Sequence, residues 1–200
     1  MGLALVLASL PGFRTQLRIR GGCTVHPTFS RALSSPIQAD MLVALCDWTL
    51  FTTYARSHSS AEVFSALDEF YLLTEDVIDA AGGVVLKFMG DAALVIFPED
   101  LADIGVMALL DLKRQTDSWF QARAMPNRLR VNAHFGQVTL GSMGHKRVLD
   151  VIGDTVNITA TLGAKAFGLT AQAFRCLTPE HRRMFHRFTP PILYLAEPAR

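Results

Sequence analysis

The chain has 200 residues, half of them apolar, and its formal net charge at pH 7 is only +1. That length suffices for one domain with a buried core. Because the charge is nearly balanced and there is no basic stripe, we expect no nucleic-acid partner.

The first 38 residues predict an extension and linker rather than a folded unit. The apolar run 1–12 lacks a basic leading region and is too short to cross a bilayer, so we expect no membrane partner. Residues 21–40 are rich in Ser, Pro, Gly and Thr, a composition typical of linkers. We therefore place the extension at 1–38 and the folded domain at 39–200.

The three cysteines, Cys23, Cys46 and Cys176, do not have the spacing of metal ligands. Cys46 lies in an apolar run, where a reduced and buried thiol is expected. This pattern indicates a reducing environment, and we expect a cytoplasmic location.

Hydrophobic periodicity gives the predicted elements in chain order, with a helical region that is interrupted near 57–60. Apolar runs on either side of Met89-Gly90-Asp91, between the predicted helices 61–80 and 101–122, predict a β-hairpin. The order β-α-β-β-α-β predicts an α+β fold, with a ferredoxin-like core, an antiparallel-rich sheet and helices on one face. The remaining predicted elements are strands at 41–46 and 129–138 and helices at 61–80 and 101–122.

Two aspartates occupy matching places in this pattern. Asp47 follows the strand 41–46, and Asp91 lies at the tip of the hairpin. Carboxylates held on rigid backbone are good ligands for hard divalent cations, and a pair of metal ions can clamp a triphosphate. The two residues are therefore candidate metal ligands.

Two further blocks follow: residues 136–144 read GQVTLGSMG and residues 149–157 read LDVIGDTVN. With the segments around Asp47 and Asp91, they resemble the catalytic domain of the class III adenylate/guanylate cyclases over 39–196. The resemblance implies the cyclase fold, with catalytic Asp47 and Asp91 as metal ligands and the Trp48 carbonyl as a backbone ligand. It also implies two Mg²⁺ or Mn²⁺ ions per site.

The resemblance implies a substrate-binding turn at Leu50, Phe51 and Thr52, which would cradle the triphosphate. The family commonly has glycine where this chain has Leu50, so the approach of backbone to phosphate is expected to be more restricted. It also places Gly90 of the hairpin at the substrate. Lys146 and Arg147 match a loop where cyclases place a basic residue near the terminal phosphates; a solvated loop pair is the alternative.

Lys87 and Asp150 fall at the cyclase positions that read adenine, whereas guanylate cyclases usually carry Glu and Cys or a similar pair there. The resemblance therefore favours ATP as the nucleoside triphosphate substrate. In cyclase dimers the base readers come from the subunit that does not hold the metals. A homodimer with two composite active sites is thus implied, with an inactive isolated chain.

Asn157 matches the catalytic asparagine that orients the ribose, but Thr161 stands where active cyclases usually carry an arginine. A hydroxyl does not replace a fixed, bidentate cation, and this loss is expected to cost several kcal/mol of transition-state stabilisation, as an order of magnitude. The tail 188–194 also has no lysine where the family has one. The arginines that could replace it are Arg182, Arg183 and Arg187.

Three functions remain compatible with these residues. The first is conversion of ATP to 3′,5′-cyclic AMP and pyrophosphate by two-metal-ion catalysis, at low or unusual activity. The second is a catalytically impaired, nucleotide-binding regulatory domain, which Leu50 and Thr161 favour. The third is a cyclase for another base, such as a pyrimidine nucleotide cyclase. We favour the first because both metal aspartates and both base readers are present.

Overall fold

A central sheet organises the protein, whose computed structural model describes residues 25–188 and 192–196. The described residues form eight strands in the order β2-β3-β1-β4-β6-β8-β7, with β5 paired to β4. The strands are β1 (Ile37–Trp48), β2 (Val84–Met89), β3 (Ala92–Pro98), β4 (Leu129–Met143), β5 (Val148–Ile152), β6 (Phe167–Leu169), β7 (Phe185–Phe188) and β8 (Leu193–Ala196). The helices are α1 (Pro27–Ser34), α2 (Phe51–Ser57), α3 (Ser60–Ala80), α4 (Ala102–Ala122), α5 (Asp154–Thr161), α6 (Ala171–Arg175) and α7 (Pro179–Arg182).

The predicted β-α-β-β-α-β core is confirmed, with β1, α3, β2, β3, α4 and β4 in that order. Strand β1 pairs antiparallel with both β3 and β4, while the β4–β6 pair is parallel. The predicted break before α3 is also confirmed. The Ser59 hydroxyl accepts from the Glu62 N–H, and the Glu62 carboxylate accepts from the Ser59 N–H, which fixes where the helix begins.

The middle of strand β1, residues 41–46, is apolar without alternation because both faces of the sheet are covered there. Leu42 and Cys46 face the core beneath α3 and α4, whereas Met41 and Val43 face a second core on the opposite side. Each fully buried side chain of this size contributes roughly 1.5–3 kcal/mol of hydrophobic stabilisation. Cys46 is a buried free thiol, as predicted, and burial raises its pKa.

The second core lies between the sheet and the β4–β5 ribbon. Leu149 and Val151 of β5 pack there with Leu86 of β2, so the ribbon folds over the sheet and brings β5 against β2. Helices α1 and α5 lie on this same side, and α5 contacts β1 and β4. The prediction that the two helices of the core lie on one face is therefore confirmed for α3 and α4, while α1 and α5, which it did not include, lie on the other face.

The predicted linker at 21–40 is wrong where the structure describes it. Pro27–Ser34 forms α1, and Phe29 and Ala32 on its inner face are buried in the second core. The linker-like composition misled because Pro27 is well placed at a helix start, where its missing N–H costs nothing. Residues 1–24 lie outside the described part of the chain, and the division at 38/39 stays a prediction.

Within the described ranges, helices long and apolar enough to span a bilayer are absent.

Candidate functional site

Asp47 lies near the end of β1, between two neighbouring strands. Its partners in the ladder are Arg130 of β4 on one side and Ala92 of β3 on the other. Ala92 directly follows Asp91 in the hairpin, so the register brings the two aspartates to one end of the sheet. The pairing of three strands therefore positions Asp47 from both sides.

Asp91 occupies the second position of the two-residue turn between β2 and β3, where Met89 pairs with Ala92. The first position is Gly90, whose φ of +65° lies in the left-handed region that favours glycine. The Tyr71 hydroxyl of α3 donates a 2.7 Å hydrogen bond to the Gly90 carbonyl. The turn is thus anchored to the helix beneath it.

The charge of Asp91 is influenced by its surroundings and by Asp47. Burial raises the pKa of the Asp91 carboxyl, and the negative charge of Asp47 raises it further. Backbone hydrogen bonds at Asp91 and Trp48 and the charge of Arg130 act in the opposite direction without cancelling the rise. A divalent cation bound beside Asp91 would offset the negative charge that raises the pKa of this carboxyl.

These oxygen donors fit Mg²⁺ or Mn²⁺. In the described ranges, groups of three or more His, Cys, Asp or Glu side chains suited to a metal are absent. Asp47 and Asp91 would therefore hold metal together with backbone and substrate oxygens. Their assignment as ligands, and that of the Trp48 carbonyl, stays a prediction.

Arg130 is a member of this cluster that the sequence analysis missed. Its Nε donates to Asp47 Oδ1 at 2.8 Å, and its Nη2 donates to Asp47 Oδ2. The hydrogen bonds to Asp47 are the main cause that raises the pKa of the guanidinium. In the sequence, Arg130 stands out as a charged residue within the predicted strand 129–138. The pairing register of β1 and β4 is needed to show that it faces Asp47.

The turn after β1 has the backbone conformation expected of a glycine. Leu50 has φ 59° and ψ 19°, in the left-handed region, and its side chain is largely exposed. Phe51 and Thr52 begin α2 directly afterwards. The turn is held from the other side by Asn127 and Arg128, which hydrogen-bond Thr49 at 2.8 and 2.9 Å. The chain therefore keeps the turn although Leu50 strains it.

Lys87 of β2 and Asp150 of β5 meet, as the fold of the β4–β5 ribbon requires. The Lys87 ammonium lies 2.7 Å from the Asp150 carboxylate, and the two side chains are 40% and 28% exposed. The Asp150 carboxylate also accepts a hydrogen bond from the Val151 N–H at 2.8 Å. The two residues predicted to read the base thus form one half-exposed pair that is reachable by a ligand.

Asn157 and Thr161 lie on the exposed side of α5. The opposite side faces the sheet: the Thr155 hydroxyl donates to the Gln137 carbonyl at 2.8 Å. Thr159 is fully buried, and its hydroxyl donates to the Thr155 carbonyl at 2.7 Å. The Thr161 hydroxyl donates to the Asn157 carbonyl at 2.9 Å, one turn earlier in the same helix. Thr161 therefore presents no cation, and its one donor is already used.

The remaining basic candidates lie elsewhere in the chain. Lys146 and Arg147 are exposed in the turn after β4, whereas Arg130 is at the start of that strand, so the structure does not bring them together. Arg182 donates to the Arg175 carbonyl at 2.7 Å. The roles of these residues toward a substrate stay predictions.

Comparison with known proteins agrees with this architecture. The family model for the adenylate and guanylate cyclase catalytic domain matches residues 38–186. An adenylate cyclase of Anabaena cylindrica is 27% identical over 142 residues, which cover 66% of this chain and 28% of that protein. Adenylate cyclase 2 of Rhizobium meliloti is 25% identical over 170 residues, covering 81% of this chain and 46% of that protein. The chain thus spans less than half the length of these two relatives.

Solved structures show the same fold at low sequence identity. A bacterial light-regulated adenylyl cyclase superposes with a TM-score of 0.71 at 22% identity, covering 81% of this chain and 53% of that one. The adenylyl cyclase CyaB from P. aeruginosa also gives 0.71, at 17% identity and with 83% and 97% covered. The guanylyl cyclase Cya2 gives 0.65 at 19% identity, with 79% and 91% covered. Since the family model matches most of the chain, the protein belongs to the class III adenylate and guanylate cyclase catalytic domains.

Proposed function

We propose that the protein is an adenylate cyclase, converting ATP to 3′,5′-cyclic AMP and pyrophosphate with two Mg²⁺ or Mn²⁺ ions. The observation that carries the proposal is the meeting of Asp47 and Asp91 at one end of the sheet. Bound there, the metals would lower the pKa of the ribose 3′-hydroxyl and neutralise charge on the departing pyrophosphate.

The choice of ATP rests on the Lys87–Asp150 pair. Adenine offers an amino donor and a ring-nitrogen acceptor, which suit a carboxylate and an ammonium respectively. Both side chains are partly exposed, so each can exchange its partner for the base. Adenylate cyclases among the relatives support this choice, while the guanylyl cyclase neighbours keep the base an experimental question.

The proposed active form is a homodimer with two composite sites. Asp47 and Asp91 of one subunit would act with Lys87 and Asp150 of its partner, and Asn157 would orient the ribose. Arg130 would supply a cation beside the triphosphate, next to the turn of Leu50, Phe51 and Thr52. The cytoplasmic location remains a prediction from the cysteine pattern.

A second candidate is a nucleotide-binding regulatory domain with little or no turnover. Thr161 favours it, because its hydroxyl is bonded within α5 and cannot stabilise transition-state charge as arginine would. The two candidates share a binding site and differ in the rate of the chemical step.

The experiment that separates them incubates the purified dimer with Mn²⁺ and ATP, GTP, CTP or UTP and identifies the products by mass spectrometry. Cyclic AMP from ATP supports the proposal. ATP that binds without reacting supports the regulatory domain. A cyclic product from GTP alone or from a pyrimidine nucleotide contradicts the assignment of Lys87 and Asp150.

A further inference from the structure

The ion pair between Arg130 and Asp47 occupies both carboxylate oxygens of a proposed metal ligand. Nε meets Oδ1 at 2.8 Å and Nη2 meets Oδ2, which is the bidentate arrangement that makes arginine–carboxylate pairs strong. The Asp47 side chain is only 16% exposed, so water competes little for it, whereas that of Arg130 is 42% exposed. Burial of the Asp47 carboxylate therefore favours its pairing with the guanidinium.

A divalent cation at Asp47 would meet this guanidinium directly. Metal coordination needs the oxygens that Arg130 holds, and two positive groups in contact with one carboxylate repel each other. Among the ion pairs of the described residues, the guanidinium of Arg130 contacts Asp47 and not Asp91. Arg130 would thus compete with a metal ion at Asp47 and not at Asp91.

We infer that Arg130 competes with the metal for Asp47, so that metal and nucleotide bind cooperatively; this inference rests on the proposed function. A polyphosphate near the site gives the guanidinium new anionic acceptors, and Asp47 then becomes free for the cation. Because such coupling is reciprocal, metal at Asp47 also frees Arg130 for phosphate. Arg130 acts on the metal through Asp47 and is in this respect a positioning residue.

The first test measures binding of Mn²⁺ alone to the full chain, without nucleotide, by electron paramagnetic resonance of the free ion. Arg130→Gln should bind Mn²⁺ on the order of tenfold to a hundredfold more tightly than the natural protein, as expected for loss of a charge-assisted competitor. Arg130→Lys, which keeps the charge but loses the fork, should lie between them.

Arg128→Gln is the matched control. Arg128 is exposed two residues before Arg130 and hydrogen-bonds the Asn127 carbonyl, so the change removes the same charge nearby without touching Asp47. It should leave the Mn²⁺ affinity within about twofold, since exposed charges are strongly screened at physiological salt. An equal gain in Arg128→Gln and Arg130→Gln would overturn the inference by showing a general charge effect.

The second test measures binding of inorganic tripolyphosphate with EDTA present. Asp47→Asn should tighten this binding severalfold, and Asp47→Asn combined with Arg130→Gln should lose the gain. A gain that survives in the double variant would contradict the role of Arg130.

The failure of this inference is distinguishable from that of the proposed function. If Asp47→Asn abolishes Mn²⁺ binding while Arg130→Gln does not improve it, the competition is absent and the metal site stands. If Asp47→Asn leaves Mn²⁺ binding unchanged, the metal assignment fails and the inference fails with it. Thermal melting of every variant establishes that the compared proteins are folded.

Discussion

The strand end that carries Asp47 and the helix that carries Thr161 show two different ways of presenting a functional side chain. Asp47 lies between two paired strands, with Ala92 on one side and Arg130 on the other. Thr161 lies on the exposed side at the end of α5, and its hydroxyl bonds only within that helix. Strand pairing on both sides fixes the position of Asp47, whereas the Thr161 side chain is held by a hydrogen bond within its own helix.

This difference explains why positions 47 and 161 tolerate substitution differently. A change at Asp47 disturbs an ion pair between strands, so the fold itself constrains that position. A change at Thr161 leaves α5 attached to the sheet through the Thr155 hydroxyl and the buried Thr159, so the helix tolerates different residues at position 161. On the proposed function, residues that would hold the substrate can therefore persist where a group that would speed the reaction is lost.

Asp47→Asn should have the largest effect. It keeps the shape of the side chain but removes the charge that a metal needs. We expect turnover to fall by more than about a thousandfold, since loss of one oxyanion-hole donor already costs 10²–10³. Product formation and Mn²⁺ binding measure the change. Asp40→Asn, an exposed position at the other end of β1, is the control, and metal-dependent turnover surviving in Asp47→Asn would refute the metal assignment.

Thr161→Arg should raise turnover, in contrast to Asp47→Asn. A guanidinium there would supply the missing transition-state cation, and we expect turnover to rise by about a hundredfold. Ala160→Arg places the same charge on the neighbouring exposed position of α5, one helical step round the axis. Equal gains in both variants, or no gain in a protein that binds ATP, would show that Thr161 is not the limiting position.

The sequence predicts those parts of the molecule whose signals are local. The apolar run before Asp47 and the glycine turn before Asp91 identify a strand end and a hairpin, and the register confirms that the two are neighbours. Arg130 was missed because its contact with Asp47 depends on the pairing of strands 83 residues apart in sequence. Helix α1 was missed because Phe29 finds its partners only in the folded core.

Exchange of the charges of Lys87 and Asp150 tests whether that pair reads the base or only joins β2 to β5. The double variant Lys87→Asp with Asp150→Lys can keep the ion pair but inverts its polarity toward a ligand. We expect little change in melting temperature, because partly exposed pairs contribute about 0–1 kcal/mol, but a fall of about a hundredfold in kcat/KM for ATP. Unchanged kcat/KM for ATP in a folded variant would exclude base recognition by this pair.

Leu50→Gly should have the smallest effect on stability and a selective effect on binding. Glycine removes the left-handed strain of Leu50, worth roughly 1–2 kcal/mol, but its greater freedom in the unfolded chain offsets about 0.5–1 kcal/mol. The free energy of unfolding should thus rise by about 0–1.5 kcal/mol. Affinity for tripolyphosphate, measured by calorimetry with Mn²⁺ present, should increase severalfold, because the turn before α2 becomes more accessible to phosphate.

Ala124→Gly separates these two effects, because Ala124 also adopts a left-handed conformation, with φ 54°, and is exposed. It lies in the connection before β4, across the cleft that Leu50 also lines, and is not part of the turn that begins α2. Relief of strain alone should stabilise this variant in a similar way without altering tripolyphosphate affinity. If both glycine variants bind tripolyphosphate equally, the side chain of Leu50 does not restrict the phosphate turn. The low rate we expect would then trace to Thr161 and to the lysine missing from 188–194, and not to the phosphate turn.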